Sequence, residues 1–391
     1  MRMETTAQTI YFDNAATSWP KPEEMLLAMD HYQRIFGGSP GRSGHRLSIE
    51  AGRIIMETRE SLAGLFHIDD PFSFVFTKNA TEALNIAIIG LLTPADHVIT
   101  SGMEHNSVMR PLRALELQGC DISVVKCSPA GELDPGDLAA LIKSNTKAIV
   151  MTHASNVTGT IMPIQEVGKI AREYDLVFCV DAAQTAGSLP IHIGEMNIDL
   201  LAVTGHKSLF GPQGTGGLYI RRGLEKSIHP LLYGGTGSRS EFEKQPDFLP
   251  DKYESGTPNT VGLAGLGAGA NYIMERGINN IRTEELMLTR HFLDAMKSIN
   301  GVQLYGPGDA LRQIPVVSFN ISGLTSSETS FALDEKYDIM SRPGLHCAPA
   351  AHKTIGTFPG GTVRFSFGYF NTKQEVEYAL GAISDLVRRK K

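Results

Sequence analysis

Long apolar runs are missing from this sequence. No uninterrupted apolar stretch approaches the ~20 residues that a helix needs to span a membrane. The first eight residues, Met1 to Gln8, are polar and contain no apolar core of a secretory signal peptide. Both observations argue against insertion and against secretion, so we expect a cytoplasmic protein without a membrane partner.

Cysteine is also scarce. The 391 residues include four cysteines (Cys120, Cys127, Cys179 and Cys347), and no two of them form a C-x-x-C pair. Four cysteines in so long a chain do not make a disulfide scaffold, and zinc-ribbon or thioredoxin-like patterns are lacking. Such a low cysteine content, without paired motifs, is typical of proteins in a reducing compartment. Cys179 lies within an apolar stretch and is expected in the core.

The sequence also lacks an excess of positive charge. The net charge is −6, and charged residues make up 20% of the chain. Proteins that bind nucleic acid or anionic membranes through charge need a basic surface, so neither is expected as a partner. We interpret the basic cluster at residues 388–391 as the solvated end of a helix.

What the sequence does contain is a regular alternation of short apolar strands and helical stretches. This pattern predicts an α/β domain with a mainly parallel sheet. A chain of this length exceeds one compact core, so a smaller α+β domain is expected to follow, with a helix over 261–278 at the boundary. We assign residues 16–260 to the large domain, and 1–15 with 261–391 to the small one. The predicted strands cover 72–77, 97–100, 122–125, 148–151, 176–180 and 200–203, with 10–13, 316–321 and 362–367 in the small domain.

Polar clusters follow the predicted strands of the large domain. In parallel sheets, ligands bind beyond the carboxyl ends of the strands, so these clusters should converge on one crevice. The glycine-rich stretch 37–45 is either a flexible linker or a loop that folds over a ligand, and its Arg42 and His45 favour the second interpretation. The clusters are 77–82, 104–106, 153–159, 181–184 and 204–207.

Lys207 is the most informative single residue. It stands in the turn Thr204-Gly205-His206-Lys207, directly after a predicted strand. A lysine on a rigid turn is a candidate for Schiff-base chemistry, because desolvation lowers its pKa and frees the amine as a nucleophile. An ordinary solvated lysine is the alternative from this residue alone.

The neighbouring clusters suit a phosphorylated pyridine aldehyde. The segment that contains Ala80 and Thr81 opens a helix, where backbone N–H groups and hydroxyls bind phosphate. Asp181 directly follows an apolar strand, and a carboxylate there would keep a pyridine nitrogen protonated. The alternative for both positions is a plain helix N-cap.

Further polar residues could complete such a site. Gln184 could donate to a ring hydroxyl, and His105 could stack on a ring or be a satisfied, partly buried histidine. Asn156 could reach the ring hydroxyl or merely hold a turn. Thr204 and His206 could add donors to a phosphate.

The C-terminal part contributes a cysteine loop. Cys347 lies beside His346 and near Arg342, and cationic neighbours favour a reactive thiolate; the alternative is a small buried cysteine. A metal site formed with His352 is not favoured, because no fourth ligand is evident. Arg364 lies in a strand-like alternation, where it would either bind a carboxylate in bidentate fashion or face solvent.

With these residues assembled, the chain resembles the pyridoxal-phosphate enzymes of aminotransferase class V, specifically the cysteine desulfurases. The resemblance extends from the N-terminal stretch to Arg364 and implies fold type I, with a mainly parallel seven-stranded sheet. The motifs that carry it are Tyr11-Phe12-Asp13-Asn14-Ala15-Ala16, Glu104-His105-Asn106, Asp181-Ala182-Ala183-Gln184, Thr204-Gly205-His206-Lys207 and Glu254-Ser255-Gly256-Thr257-Pro258-Asn259.

The resemblance implies roles for individual residues. Lys207 would bind pyridoxal 5'-phosphate covalently, Asp181 would pair with the pyridinium and His105 would stack on the ring. Thr257 would reach the phosphate of a neighbouring subunit, which implies a homodimer. The other cofactor-binding residues would be Ala80, Thr81, Asn156, Gln184, Thr204 and His206, and the substrate-binding residues Ala15, Asn156, Arg342 and Arg364.

The segment Arg342-x-Gly344-x-His346-Cys347-Ala348 is similar to the cysteine loop of group II desulfurases, which include selenocysteine lyase-like enzymes. Cys347 would then be the nucleophile that takes up sulfur as L-cysteine becomes L-alanine, for cofactor biosynthesis through a possible acceptor protein. Pro343 and the residues 349–352 depart from the family's pattern. The alternatives are a selenocysteine, cystine or cysteine sulfinate lyase, a transaminase, or a non-catalytic binding protein.

Overall fold

The computed structural model describes residues 9–41 and 44–389. Met1 to Gln8, Arg42 of the glycine-rich loop, and Lys390 and Lys391 of the basic cluster lie outside this range. The helices are α1 Glu23–His31, α2 Arg46–Phe66, α3 Ala80–Leu91, α4 Asn106–Glu116, α5 Pro135–Ala139, α6 Ile164–Glu173, α7 Thr260–Arg276, α8 Ile278–Met296, α9 Ser326–Tyr337, α10 Pro349–Thr354 and α11 Lys373–Arg388.

The strands form three sheets. Among helices of the described ranges, none is long and apolar enough to cross a bilayer. The strands are β1 Ile10–Tyr11, β2 Phe74–Thr77, β3 His97–Ser101, β4 Asp121–Val125, β5 Thr146–Thr152, β6 Val177–Asp181, β7 Leu200–Thr204, β8 Gly216–Ile220, β9 Val302–Tyr305, β10 Val316–Ile321, β11 Ile339–Met340, β12 Arg342–Gly344 and β13 Thr362–Ser366.

The largest sheet has seven strands in the order β2-β8-β7-β6-β5-β3-β4. The strands from β7 to β4 pair in parallel, and β8 runs against both of its neighbours, β2 and β7. The predicted α/β fold with a mainly parallel seven-stranded sheet is therefore confirmed. Both faces of the sheet are covered, which explains why its strands are near-continuous apolar runs.

Two details of this sheet differ from the strand predictions. The strand predicted over 72–77 begins at Phe74, because Pro71–Ser73 form a 3₁₀ turn whose Phe72 N–H is capped by Asp70. Strand β8 was not predicted, since Gly216 and Gly217 at its start are typical of loops. A Cβ on Gly217 would overlap the ring of Phe74 on the neighbouring strand, so glycine is required by that close approach.

The small domain is built on the antiparallel sheet β12-β13-β10-β9 and on a parallel pair, β1 with β11. Its core is aromatic: Phe12 contacts Phe365 and Phe367 with ring centroids 5.2 and 5.0 Å apart, and Phe292 lies 5.5 Å from Phe365. Because Phe12 is fully buried there, the N-terminal segment is part of this domain's core.

The helix pair α7 and α8 connects the two domains. The buried side of α7, with Leu263, Leu266 and Ile273, packs into the core under the large sheet. In contrast, α8 buries Phe292 and Met296 in the small-domain core. We therefore propose that the domains divide between these helices, at Gly277, instead of at residue 260 as expected from the sequence.

Candidate active site

A cavity of about 250 Å³ lies at the carboxyl ends of the parallel strands, where the small domain meets the large one. All of the candidate site residues except Thr257 line it. The lining residues are Ala15, Ala16, Asn79, Ala80, Thr81, His105, Ser107, Thr152, Asn156, Asp181, Ala183, Gln184, Thr204, His206, Lys207, Arg342, His346, Cys347 and Arg364.

Lys207 lies on a tight turn that begins where β7 ends. The Gly205 N–H donates to Thr215 O over 2.8 Å, and the Phe210 N–H donates to Lys207 O over 2.9 Å. A Cβ on Gly205 would overlap the Thr215 hydroxyl, so the turn needs glycine at this position. Desolvation lowers the pKa of Lys207 from 10.5 to about 8, although Asp181 opposes the shift. The amine is thereby brought closer to its nucleophilic form at neutral pH.

The turn is held by a segment that the sequence did not identify, residues 17–21, which we call the N-terminal strap. The carbonyl oxygen of His206 accepts hydrogen bonds from Ser18 N at 3.0 Å, Thr17 Oγ1 at 2.9 Å and Lys21 Nζ at 2.7 Å. The carbonyl of Lys207 accepts from Ser18 Oγ at 2.8 Å. Burial lowers the pKa of Lys21 to about 8. In the sequence, this stretch is marked by Pro20 within it and by Pro22 directly after it.

Asp181 ends β6 at the cavity floor and is 4% exposed. Its Oδ1 accepts the Ala183 N–H over 2.9 Å. Burial raises the pKa of this carboxyl, whereas the Ala183 N–H and Lys207 oppose the rise. A buried carboxylate with so few partners is costly. A cationic group placed against it, such as a protonated pyridine nitrogen, would relieve that cost.

Behind Asp181 lies a second buried carboxyl, Glu104, which the sequence grouped with His105 without a role. Its two oxygens accept the Thr152 N–H over 3.1 and 3.0 Å, and Oε1 accepts from Ser101 Oγ. Burial raises the pKa of Glu104 to about 8, and Asp181 adds to the rise. Glu104 thus ties the end of β3 to the end of β5.

His105 caps the N-terminus of α4 and lines the cavity. Its Nδ1 accepts the Ser107 N–H over 3.0 Å, so the ring proton of the neutral form is on Nε2. Burial, followed by the charge of Lys207, lowers the pKa of His105 to about 4. The ring is therefore neutral at physiological pH, which suits stacking on an electron-poor ring.

The rim at α3 has the donors that a phosphate needs. Asn79 Oδ1 caps the Glu82 N–H over 3.0 Å, and the first N–H groups of a helix, here at Ala80 and Thr81, have no intrahelical partners. Within the described ranges, Thr204 Oγ1 and His206 Nδ1 are buried without a hydrogen-bond partner. These orphaned polar atoms and the helix N-terminus fit a phosphate group. Together with Lys207 and Asp181, the donor set fits pyridoxal phosphate.

Two amide side chains bring the N-terminal segment and the cysteine loop to the cavity. Gln184 Nε2 donates to Ala15 O over 3.1 Å. Asn156 Nδ2 donates to His346 O over 2.7 Å. The sequence offered two roles for Asn156, and the structure shows that its amide nitrogen holds the loop. Its amide oxygen is the remaining group for a ligand hydroxyl.

Arg364 is not a surface residue, since only 1% of it is exposed. Its Nη2 donates to Asp13 Oδ1 over 2.7 Å, and its Nη1 donates to Asn156 O over 3.0 Å. Arg342 pairs with Arg364 across β12 and β13. Asp13 offsets only one of these two positive charges at the cavity wall, so the wall suits a carboxylate.

Cys347 lies in an exposed turn between β12 and α10. His346 and Cys347 both adopt left-handed backbone conformations, with φ of 49° and 57°. Such residues cost about 1–3 kcal/mol each and persist only where their surroundings hold them. The Asn106 N–H donates to Cys347 O over 2.8 Å, which attaches the turn to the start of α4.

Thr257 lies apart from the cavity and is exposed. The loop that contains it is anchored by Glu254, which accepts from Arg59 Nη1 over 2.8 Å and from Phe76 N over 2.7 Å. His45 also lies outside the lining residues; its Nδ1 caps α2 by accepting the Ser48 N–H over 3.2 Å.

A family model of aminotransferase class-V matches residues 10–379. A probable cysteine desulfurase of Pyrococcus abyssi is 35% identical, over 98% of this chain and 95% of that protein. A probable cysteine desulfurase of Methanothermobacter thermautotrophicus is 34% identical, over 94% and 92%. The apo structure of a cysteine desulfurase from Thermococcus onnurineus superposes with a TM-score of 0.92 at 35% identity, and covers 97% of this chain and 95% of its own.

Proposed function

Because the chain belongs to the aminotransferase class-V family, we propose that it is a pyridoxal-phosphate-dependent cysteine desulfurase. It converts L-cysteine to L-alanine and takes up the sulfur on Cys347. The observation that carries this proposal is one cavity lined by Lys207, Asp181, Arg364 and Cys347. An amine, a carboxylate, a carboxylate-binding guanidinium and a thiol are what the reaction requires.

Pyridoxal phosphate supplies a ring that withdraws electrons from the substrate Cα. Lys207 would hold it covalently. Asp181 would keep positive charge at the pyridine nitrogen, and neutral His105 would stack on the ring. The donors of Ala80, Thr81, Thr204 and His206 would hold the phosphate, and Asn156 and Gln184 would bind the ring oxygen.

The substrate is oriented by its carboxylate. Arg364, with Arg342 opposite it, binds that carboxylate beside Ala15. The amine of Lys207 is the base that removes the α-proton of the substrate.

Cys347 then acts on the substrate sulfur. Its thiolate attacks the sulfur atom, a new S–S bond forms, and the C–S bond breaks with its electron pair left on the carbon. That carbon takes up a proton, the lysine amine returns a proton to Cα, and L-alanine is released, so Cys347 carries a persulfide. An acceptor thiol removes the outer sulfur, and the exposed position of Cys347 supports its access.

The protein works as a homodimer in which Thr257 binds the phosphate in the partner's cavity. This arrangement is supported by Thr257, which is exposed and does not line the cavity of its own chain. Analytical ultracentrifugation should show a dimer. Thr257→Val should weaken cofactor binding about tenfold, the effect of losing one charge-assisted hydrogen bond, and Thr257→Ser should not.

A product assay on L-cysteine with a thiol acceptor tests the reaction. Wild type should release alanine and sulfide in equal amounts. Lys207→Ala should lose both the visible absorbance of the cofactor and turnover. Cys347→Ala should keep the absorbance and lose turnover on L-cysteine. Desulfuration by Cys347→Ala at the wild-type rate would refute the role of the thiol, and a keto acid product would indicate a transaminase.

The same variant separates sulfur from selenium chemistry. The cysteine loop has the pattern of a group that includes selenocysteine lyase-like enzymes, so selenocysteine is the second candidate substrate. Selenium leaves carbon more readily than sulfur and depends less on a nucleophile. If Cys347→Ala cleaves selenocysteine at the wild-type rate and L-cysteine not at all, both substrates use this site and only sulfur requires the thiol.

A further inference from the structure

Two histidines and a threonine form a hydrogen-bonded chain beneath the cysteine turn. His346 Nε2 contacts Arg342 O at 2.9 Å, and His346 Nδ1 contacts His352 Nε2 at 3.3 Å. His352 Nδ1 contacts Thr357 Oγ1 at 2.7 Å. The two ring planes differ by 26° and their centroids are 5.4 Å apart, which is an edge-to-edge contact through the ring nitrogens. The three residues are 5%, 0% and 9% exposed.

The carbonyl oxygen of Arg342 determines which atom donates and which accepts in every hydrogen bond of this series. A backbone carbonyl only accepts, so His346 Nε2 carries a proton and donates to Arg342 O. Burial lowers the pKa of His346 to about 2 and that of His352 to about 4, so both rings are neutral. His346 Nδ1 is then an acceptor, and His352 Nε2 must donate to it. His352 Nδ1 in turn accepts, and its donor is the Thr357 hydroxyl.

His346, the last side chain of this series, belongs to the turn that carries the thiol. His346 immediately precedes Cys347, and both hold the left-handed conformation that needs outside support. Thr357 is bound to His352 through its backbone as well, because the Thr357 N–H donates to His352 O over 2.9 Å. We propose that Thr357 and His352 are positioning residues for Cys347: they fix the tautomer of His346 and thereby the turn that presents the thiol.

This inference rests on the proposed function only for the role of Cys347 in turnover. The hydrogen bonds that hold the turn belong to the polypeptide and do not depend on which reaction it catalyses. If the Thr357 hydroxyl is lost, His352 Nδ1 is buried without a donor. Switching the His352 tautomer would then set two acceptors against each other at His346. In either case the turn should loosen, while Lys207 and Arg364 keep their contacts.

The test uses isosteric substitutions in the holoenzyme. Thr357→Val removes the hydroxyl, and Thr357→Ser keeps it. Thr354→Val is the matched control, because the Thr354 hydroxyl, at the end of the helix that carries His352, donates to Gly102 O at 2.9 Å, outside the hydrogen-bonded chain. Thr357→Val should lower kcat for L-cysteine about tenfold, with an unchanged KM and cofactor absorbance. Thr357→Ser and Thr354→Val should match wild type.

A second measurement does not depend on turnover. Amide hydrogen exchange across residues 344–350 should be faster in Thr357→Val and His352→Leu, with and without cofactor, and unchanged in Thr357→Ser. His352→Gln keeps a donor toward His346 and should lie between His352→Leu and wild type. Unchanged exchange in Thr357→Val overturns the proposal, and so does faster exchange with an unchanged kcat. If wild type does not desulfurate L-cysteine, the proposed function fails and the exchange rates alone decide whether the chain holds the turn.

Discussion

The amine of Lys207 shares its cavity with two guanidinium groups and one opposing carboxylate. Burial, Arg364 and Arg342 disfavour its protonated form, and Asp181 and, more weakly, Asp13 favour it. The pKa that results, about 8, describes the protein before the cofactor is bound. It therefore governs how fast the free enzyme can capture an aldehyde.

We predict that the rate of covalent pyridoxal-phosphate loading rises with pH and levels off above about pH 8. The amine must be unprotonated to attack the aldehyde, so below that pH the rate should fall about tenfold per unit. Stopped-flow absorbance of the cofactor-free protein measures it. Asp181→Asn removes the group that raises the Lys207 pKa, so its plateau should begin at lower pH. A rate that continues to rise toward pH 10.5 would contradict the shift.

Lys21 gives a second prediction at the residue scale. Its Nζ donates to Ser18 Oγ and to His206 O, both over 2.7 Å. Lys21→Met keeps the apolar stem but removes both bonds, so the Lys207 turn should lose about 1–3 kcal/mol of support. We expect a lower melting temperature and faster cofactor loss in dialysis. Lys169→Met, at an exposed position on α6, is the control; equal effects from both substitutions would exclude a specific role for the strap.

Among the elements, α11 shows how local sequence secures the small domain. Thr372 Oγ1 accepts the Glu375 N–H over 3.2 Å, and Glu375 Oε2 accepts the Thr372 N–H over 2.7 Å. This reciprocal cap starts a helix whose Val376, Ala379 and Ile383 are buried in the small-domain core. The cap lies outside the cavity lining.

Thr372→Ala should therefore lower the free energy of unfolding by about 1 kcal/mol, the usual value of an N-cap. Urea unfolding followed by circular dichroism measures this change. Thr372→Ser keeps the acceptor and should match wild type, and both variants should keep full kcat. A loss of activity in Thr372→Ala without a loss of stability would mean that α11 acts on the site.

The strands were predictable from sequence where their burial determines which residue types they contain. Parallel strands buried on both faces, such as β6 and β7, are continuous apolar runs. In contrast, β8 begins with glycines because Phe74 occupies the space that a side chain would need. The residues next to these glycines in the sequence do not indicate that contact. Arg364 was ambiguous for the same reason, since burial of a guanidinium depends on Asp13, which lies 351 residues away along the chain.

Local sequence patterns likewise predicted some parts of the site and missed others. Each cluster at a strand end was visible, because strand order in a parallel sheet brings carboxyl ends together. The hydrogen-bonded chain from Thr357 to His346 was not, since it depends on the fold of the loop after β12. Lys21 was missed because a lysine near two prolines is usually solvated, and here three groups converge on one carbonyl.

At the scale of the whole molecule, the active cavity belongs to the interface between the domains. Arg364 Nη1 donates to Asn156 O across it, Asn156 Nδ2 donates to His346 O, and Ser318 Oγ donates to Val157 O over 2.7 Å. The large domain contributes the amine and the small domain the thiol, yet both belong to the same chain. A second subunit is not needed to bring Lys207 and Cys347 together.

We therefore predict that dimers assembled from one Lys207→Ala chain and one Cys347→Ala chain are inactive on L-cysteine. Each cavity in such a heterodimer lacks one of the two groups. Co-expression with two different affinity tags yields the heterodimer, and a product assay measures it against co-expressed wild-type chains. Recovery of more than a trace of activity would show that the thiol acts in the partner's cavity.

The position of Phe12 in the small-domain core has a practical consequence for dissecting this protein. A recombinant fragment that starts after α7 would leave a void among Phe292, Phe365 and Phe367, and would expose the edge of β11 that β1 covers. Open strand edges promote aggregation. Fusing residues 9–16 through a flexible linker to the end of such a fragment should restore both features, which makes a rearranged gene the practical route to this domain in isolation.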